Sequence, residues 1–427
     1  MLDIENVRAS FPALSSNNKP YIFADSAGGS QTVKDVADRM YDYLTNSNVQ
    51  LGADYSVSAL STKRVMHEGP RAAMELFNAE SPEEIAFGMS STMNLENLAR
   101  SLDNDVHSDE EIIITGEHEG NIGCWKHLAA RVGAVIRHWS PRQMEGSSNP
   151  YEIYYDTKDL VPLITAKTRI VAFSACSNIL GSLAPVKDVV HAIRCAARTH
   201  GARKVEVSVD CVAYAPHRRM DVRDWDVDYC VFSFYKVYGP HVSALYVRRT
   251  ALIASVSSIV HHFLDVSTSG YKLQPGGPGY ELVYAATGVL PYLRNLTPVR
   301  DLRATWDAVA LHEQTLLVPL LEFLTHPDQR TRGVRVVGDE TPSLARAPTI
   351  SFVVIGERPI RSRDVVAVFD AEGDIGIRYG HFYAFTLIDQ LRPKIDPADG
   401  VVRISLVHYN TVEEVQRLIK VLKKVLA

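Results

Sequence analysis

A lysine just past the end of an apolar strand is the first residue of this 427-residue chain whose placement calls for chemistry. The string Y-C-V-F-S-F-Y-K-V-Y-G-P at 229–240 runs along a strand through Ser233 to Lys236 and then into a Gly-Pro turn. Burying an unpaired ammonium is costly and favours the neutral amine. That neutral amine is the form that condenses with a carbonyl to give a Schiff base. The alternative is a lysine whose stem covers the sheet edge while its head reaches water. Upstream, V-E-V-S-V-D at 205–210 ends a second apolar strand in Asp210, at the carboxyl edge where α/β proteins place their ligands. A carboxylate there can pair with a protonated pyridine nitrogen and turn that ring into an electron sink. It could equally cap the next helix. The two residues stand 26 positions apart with one loop and one strand between them, and the pair is more specific than either member.

The elements that must position this pair read as α/β. Short apolar runs at 112–115, 169–174, 205–209, 229–233 and 244–247 alternate with segments of helical period, such as 186–199 with Val189, Val190, Ile193, Ala196 and Ala197 on one face. The strands carry too few charges to own a solvent face, so helices must cover both sides of a mostly parallel, doubly wound sheet. From about residue 293 the texture changes. A long helix is expected over 301–324, a strand over 349–354, and a closing helix over 411–426 that opens on a Thr411 to Glu414 capping box and keeps Val415, Leu418, Ile419 and Leu422 on one stripe. The reading is three parts: an N-terminal segment at 1–20 packing on the smaller domain, a large domain at 21–290, and a small α+β domain at 291–427. Their cleft is the expected site.

Composition narrows the partners. Hydrophobic residues make up 46% and charged residues 22%, with a net charge of −5 and no basic run that could track phosphates, so nucleic acid is excluded as a partner. No stretch suits a membrane span, and the opening residues lack the order of a signal peptide, from which a cytoplasmic protein is expected. Cys124, Cys176, Cys195, Cys211 and Cys230 match neither a disulfide framework nor a zinc ribbon and read as reduced core thiols; no metal site is expected. Ser233 and Lys236 formally match S-x-x-K of penicillin-recognising enzymes, but S-D-N and K-T-G are absent and the context is strand then turn.

Further motifs carry a resemblance to the class V, fold type I pyridoxal-phosphate enzymes, the cysteine desulfurase-like group, over nearly the whole chain. They are Y-I-F-A-D-S-A-G-G at 21–29, S-S-T-M at 90–93, E-H-E-G-N-I-G-C-W at 117–125, C-S-N-I-L-G at 176–181 and V-R-I-S-L-V-H-Y-N-T-V-E-E-V at 402–415. The resemblance implies a seven-stranded large-domain sheet and pyridoxal 5′-phosphate as cofactor. It places Ser91, Thr92, Ser233 and Tyr235 on the phosphate, His118 flat on the ring, Asn178 at the phenolic oxygen, Asp210 at the pyridine nitrogen and Lys236 as the Schiff-base residue. Lys236 and His118 are the catalytic pair. Arg403 would clamp the α-carboxylate of an amino-acid substrate through two parallel hydrogen bonds, with Tyr383 and Gly28 also beside the substrate. A homodimer with shared sites is implied as well.

The chain departs from the group where sulfur chemistry would occur. In G-I-R-Y-G-H-F-Y-A-F at 376–385, Tyr383 stands where a desulfurase carries its loop cysteine, and no cysteine follows residue 230. Ala213 and Gly277 replace a glutamine and a cross-dimer threonine. The strings at 233–241 and 407–415 are most similar to those of fungal natural-product enzymes, among them a loline-pathway Mannich cyclase and a decarboxylative aldolase. The function expected is therefore carbon–carbon bond formation in alkaloid biosynthesis, a Cα carbanion closing on a cyclic iminium. Decarboxylative aldol addition of aspartate to an aldehyde, another lyase or aminotransferase reaction, and a non-catalytic binding protein are the other readings.

Overall fold

The computed structural model describes residues 2–15, 21–264 and 267–427. Seven strands form the main sheet: β1 (Ile85–Gly88), β2 (Glu111–Thr115), β3 (Val135–Trp139), β4 (Thr168–Ser174), β5 (Glu206–Asp210), β6 (Tyr229–Ser233) and β7 (Ser243–Val247). Their order is β1-β7-β6-β5-β4-β2-β3, and β7 alone pairs antiparallel with its neighbours. The mostly parallel sheet expected from the buried strand runs is thus present.

Alternate residues of the central strands sort into two cores on opposite faces, as the two-residue strand period requires. Val171, Phe173, Cys230, Phe232, Ala244 and Tyr246 join one core, packed under α1 (Gly69–Phe77) and α4 (Val186–His200). Ile170, Ala172, Tyr229, Val231, Leu245 and Val247 join the other, under α2 (Ser91–Ser101) and α3 (Glu119–Val132). Neither face meets water, which is why these strands read as unbroken apolar runs.

A four-stranded antiparallel sheet, β8 (Val334–Val337), β9 (Thr349–Val354), β10 (Arg378–Gly380) and β11 (Val401–Ser405) in the order β8-β9-β11-β10, builds a separate core. Against it lie α5 (Leu302–Thr325), through Leu316, Leu317, Leu320, Leu321 and Leu324, and α6 (Val412–Val425), through Val415, Leu418 and Leu422. The capping box on α6 is present: Glu414 N donates to Thr411 Oγ1 and Thr411 N to Glu414 Oε2, each at 3.2 Å. Of the N-terminal segment, residues 1 and 16–20 lie outside the described residues. In the rest, Phe11 packs edge-on against Tyr238, Tyr292 and Tyr409, and Arg8 pairs with Glu414 at 2.9 Å. Four of the five cysteines are buried and all are free.

The C-S-N-I-L-G loop is pinned to the smaller sheet through Gly181. Its φ is +70°, Ala347 N donates to its carbonyl at 2.8 Å, and a Cβ there would lie 2.2 Å from the Thr349 carbonyl oxygen. Gly181→Ala is expected to cost about 3 kcal/mol through strain and clash, seen as a lower urea midpoint at unchanged slope. An unchanged midpoint would show that the loop yields freely.

Candidate active site

The candidate residues converge because the strands end together. β5 ends in Asp210, which lies in register with Ser174 at the end of β4. β6 ends in Ser233 and runs into a short 3₁₀ turn, Phe234–Lys236. β2 ends in Thr115, and three residues later His118 caps α3. β1 ends in Gly88, and Ser90 caps α2, its Oγ accepting from Met93 N at 3.1 Å. A cavity of about 480 Å³ opens over this edge, walled by Ser91, Thr92, His118, Asn178, Asp210, Tyr235, Lys236 and Tyr383.

Lys236 is buried, and its amine has neither a hydrogen bond nor an ion pair among the described residues. Burial and the nearby Arg403 charge pull its pKa down to about 8, only partly opposed by Asp210. A sizeable neutral fraction therefore exists near neutrality, the nucleophilic form. Asp210 accepts from Val212 N at 2.8 Å; burial pushes its carboxyl up, with that hydrogen bond and the Lys236 charge working against the shift. A cationic partner would be strongly favoured there. His118 Nδ1 accepts from Gly120 N at 3.1 Å, which assigns its proton to Nε2. Burial, Lys236 and Arg403 bring its pKa down to about 4, so the ring is neutral at pH 7.

These features fit pyridoxal phosphate. An unpaired amine, a carboxylate in need of a cation, a neutral imidazole and the free N–H groups at the start of α2 supply its aldehyde, ring-nitrogen, ring-face and phosphate contacts. Ser174 also lines the cavity wall, beside the buried Glu117 carboxyl.

Three predicted residues lie off the wall. Ser233 is fully buried and shares a hydrogen bond with Ser243 Oγ at 2.6 Å. Arg403 is held behind the wall residue Asn178, bonded to Asp25 Oδ1 at 2.9 Å and to the Asn178 carbonyl at 3.2 Å, with the Phe382 ring 3.7 Å from its Cζ. Gly28 lies beside that ion pair, and a Cβ on it would come 2.7 Å from Asp25 Oδ2. Tyr383 reaches the cavity from the loop after β10. It is 69% exposed, its ring 5.7 Å from that of His118. The loop is latched through its backbone: Asn178 Nδ2 donates to the Phe382 carbonyl at 2.9 Å and Glu119 N to the Tyr383 carbonyl at 2.7 Å. Phe382 and Tyr383 both adopt positive φ, +50° and +58°.

Sequence reasoning missed Ser174, although parallel pairing of two strand ends would have put it beside Asp210. It also passed over Glu117 except as a motif letter. That carboxyl is fully enclosed and pushed up to about 7 by burial, against the lowering effect of Ser177 and Ser174. The Glu96 and His127 pair, 2.7 Å apart at the rim, comes from adjacent helices that carry no signal of their contact.

The aminotransferase class-V family model matches residues 22–418. The aminotransferase-like protein FGM3 of Gibberella zeae is 41% identical over 99% of this chain and 98% of its own. The nonribosomal peptide synthetase-like enzyme fsqF of Aspergillus fumigatus is 35% identical over 98% of this chain, a stretch that makes up 26% of that protein. Among solved structures, the apo cysteine desulfurase of Thermococcus onnurineus NA1 is similar at a TM-score of 0.79 and 23% identity, covering 100% of this chain and 98% of that one, which shows a shared fold.

Reaction of the cofactor-free protein with an aldehyde, trapped by borohydride, is expected to modify Lys236 with a rate that climbs through pH 8, well below the ordinary lysine value of 10.5. Peptide mapping reads the site, and Lys236→Ala should abolish it. A tag on another lysine, or a midpoint near 10.5, would sink the assignment.

Proposed function

The chain belongs to the aminotransferase class-V family, and we propose that within it this pyridoxal-phosphate enzyme forms a carbon–carbon bond at the Cα of an amino acid, as a Mannich-type cyclase. The observation that carries the reading is the state of the thiols. The loop position opposite His118 holds Tyr383, and the one cysteine on the cavity wall, Cys176, is buried, bonded to the Ser177 carbonyl and held far above the ordinary thiol pKa. A protonated thiol is a poor nucleophile, so sulfur transfer lacks its acceptor.

When bound, pyridoxal phosphate supplies the electron sink that allows a bond at the substrate's Cα to break. Lys236, as a neutral amine, accepts the Cα proton. His118 stays neutral and offers a ring face and an Nε2 proton. Asp210 keeps a cation beneath the site. Arg403 binds the substrate carboxylate through its paired nitrogens, for which Phe382 and Asp25 must give way. Tyr383 presents an aromatic face at the mouth, beside His118, against which an apolar part of the substrate can pack.

One observation favours a second reading, decarboxylative addition of aspartate to an aldehyde. Arg378 Nη1 and Arg403 Nη2 both face Asp25, at 3.4 and 2.9 Å, behind the cavity wall, so two guanidinium groups would be released for a substrate with two carboxylates if Asp25 gave way. A homodimer also belongs to the proposal. Met89 and Met93, each about half exposed, flank the Ser91–Thr92 turn, and the neighbouring segment, tied to β1 by Phe87 N donating to Gln274 Oε1, exposes Phe263 and Tyr271.

Two measurements test this. Incubated with an amino acid bearing a tethered cyclic iminium, the enzyme is expected to yield a bicyclic product and, given cysteine, no sulfide; a hydroxy-amino acid from aspartate plus aldehyde would select the second reading, and sulfide at enzyme-like rates would defeat both. Sedimentation should report a dimer that Met89→Glu with Met93→Glu dissociates. A wild-type monomer with full activity would contradict the shared site.

A further inference from the structure

Apart from the active site, a second cavity of about 590 Å³ is walled by five arginines, Arg219, Arg223, Arg294, Arg300 and Arg303, with Glu75 and Asp301 as its two carboxylates. Such a concentration is out of keeping with a chain of net charge −5. Neither carboxylate neutralises the group. Glu75 is committed to Arg294, and Asp301 is the N-cap of α5, its Oδ2 accepting from Ala304 N at 2.9 Å. Arg219 has an external partner in Asp221 at 3.2 Å. Arg223 donates only to the Asn78 backbone carbonyl and side-chain oxygen, at 2.8 and 2.6 Å. The guanidinium groups of Arg300 and Arg303 make no hydrogen bond or ion pair among the described residues.

Two local rules are broken at the same place. Arg303 stands in the first turn of a 24-residue helix with no acidic residue in that turn, where the helix dipole is positive and a cation is disfavoured. Arg300 adopts φ +52°, a left-handed conformation that a long side chain rarely takes. Both departures bring like charges to one concave wall. Local departures of this kind are expected where a site requires them. A guanidinium offers a rigid fork of donors that matches two oxygens of a phosphate or carboxylate.

We propose that the arginine-walled cavity between the carboxyl end of α1, the 219–223 loop and the amino end of α5 binds a small multivalent oxyanion, a phosphorylated or polycarboxylate metabolite. Arg300 and Arg303 supply the unpaired forks, Arg223 adds a guanidinium with no carboxylate partner, held by Asn78, and the α5 terminus adds its dipole. The occupant is limited to a few acid groups, because the cavity, about 590 Å³, is close in size to the cofactor site at about 480 Å³.

Calorimetry on desalted, cofactor-loaded protein, with inorganic pyrophosphate and with citrate as probes, tests this. Cofactor occupancy keeps the phosphate contacts of α2 filled. Saturable binding of either probe at one site per chain is expected, weakening as salt rises, and falling at least tenfold in Arg300→Gln with Arg303→Gln. The stronger of the two probes identifies the ligand's acid groups. Arg223→Gln alone should weaken binding by a smaller factor. The cofactor absorption band should be unchanged in these variants, since none touches the first cavity. Unsaturable binding, equal affinity in the double variant, or binding that disappears once cofactor is loaded would each overturn the proposal.

Discussion

The structure depends on one electrostatic constraint: an amine must be kept out of water without becoming a stable ion. At the carboxyl edge of a sheet covered on both faces, the Lys236 ammonium loses its hydration, and among the described residues no carboxylate stands close enough to restore the loss through a hydrogen bond. Asp210 is the compensating charge, yet it also lies in the low-dielectric layer, so each group leaves the other partly unsatisfied. That shared deficit makes the cavity ready for a ligand that carries an electrophilic carbonyl and a basic ring nitrogen. A closer Lys236–Asp210 pair would fold as well and bind nothing.

The second layer of organisation is the way the smaller sheet presents groups to that edge. Arg403, on the central strand β11, is buried and held by Asp25 and by the Asn178 carbonyl, while the same Asn178 side chain holds the Phe382 backbone. Arg403, Asn178, Phe382 and Asp25 therefore form one hydrogen-bonded unit that spans both sheets. Burying a guanidinium stabilises little by itself when its desolvation is counted. Its value here is positional, because the arginine's orientation is set before any substrate arrives.

How much of this could be read from the chain depended on the range of the interaction involved. His118 was legible only through the motif it shares with the family, whereas Lys236 and Asp210 were legible because each sits at a strand end, marked by an apolar run followed by turn residues. The central strands were legible for the same reason. Val135–Trp139 was not, since as an outer strand it exposes Val135 and His138 and shows no clean pattern, and Ile85–Gly88 is too short to stand out. The Ser233 hydroxyl shows the limit of motif transfer: the resemblance assigns it to a phosphate, while in the fold its partner is Ser243 on the adjacent antiparallel strand, a pairing that only the fold reveals. The resemblance reads Arg403 as a carboxylate clamp, and nothing in the sequence marks it as a residue sheathed by Phe382.

The loop that carries Tyr383 is fastened through the main-chain carbonyls of Phe382 and Tyr383, which Asn178 and the Glu119 amide hold, and through the Phe382 ring against Arg403. None of these contacts depends on the side chain at 383, which is left exposed over the cavity. The architecture thus separates what must be kept from what is free to vary. Through a single codon, descent can exchange the group that faces the reacting carbon while the clasp beneath it persists, so one scaffold can diversify its chemistry without passing through an unfolded ancestor.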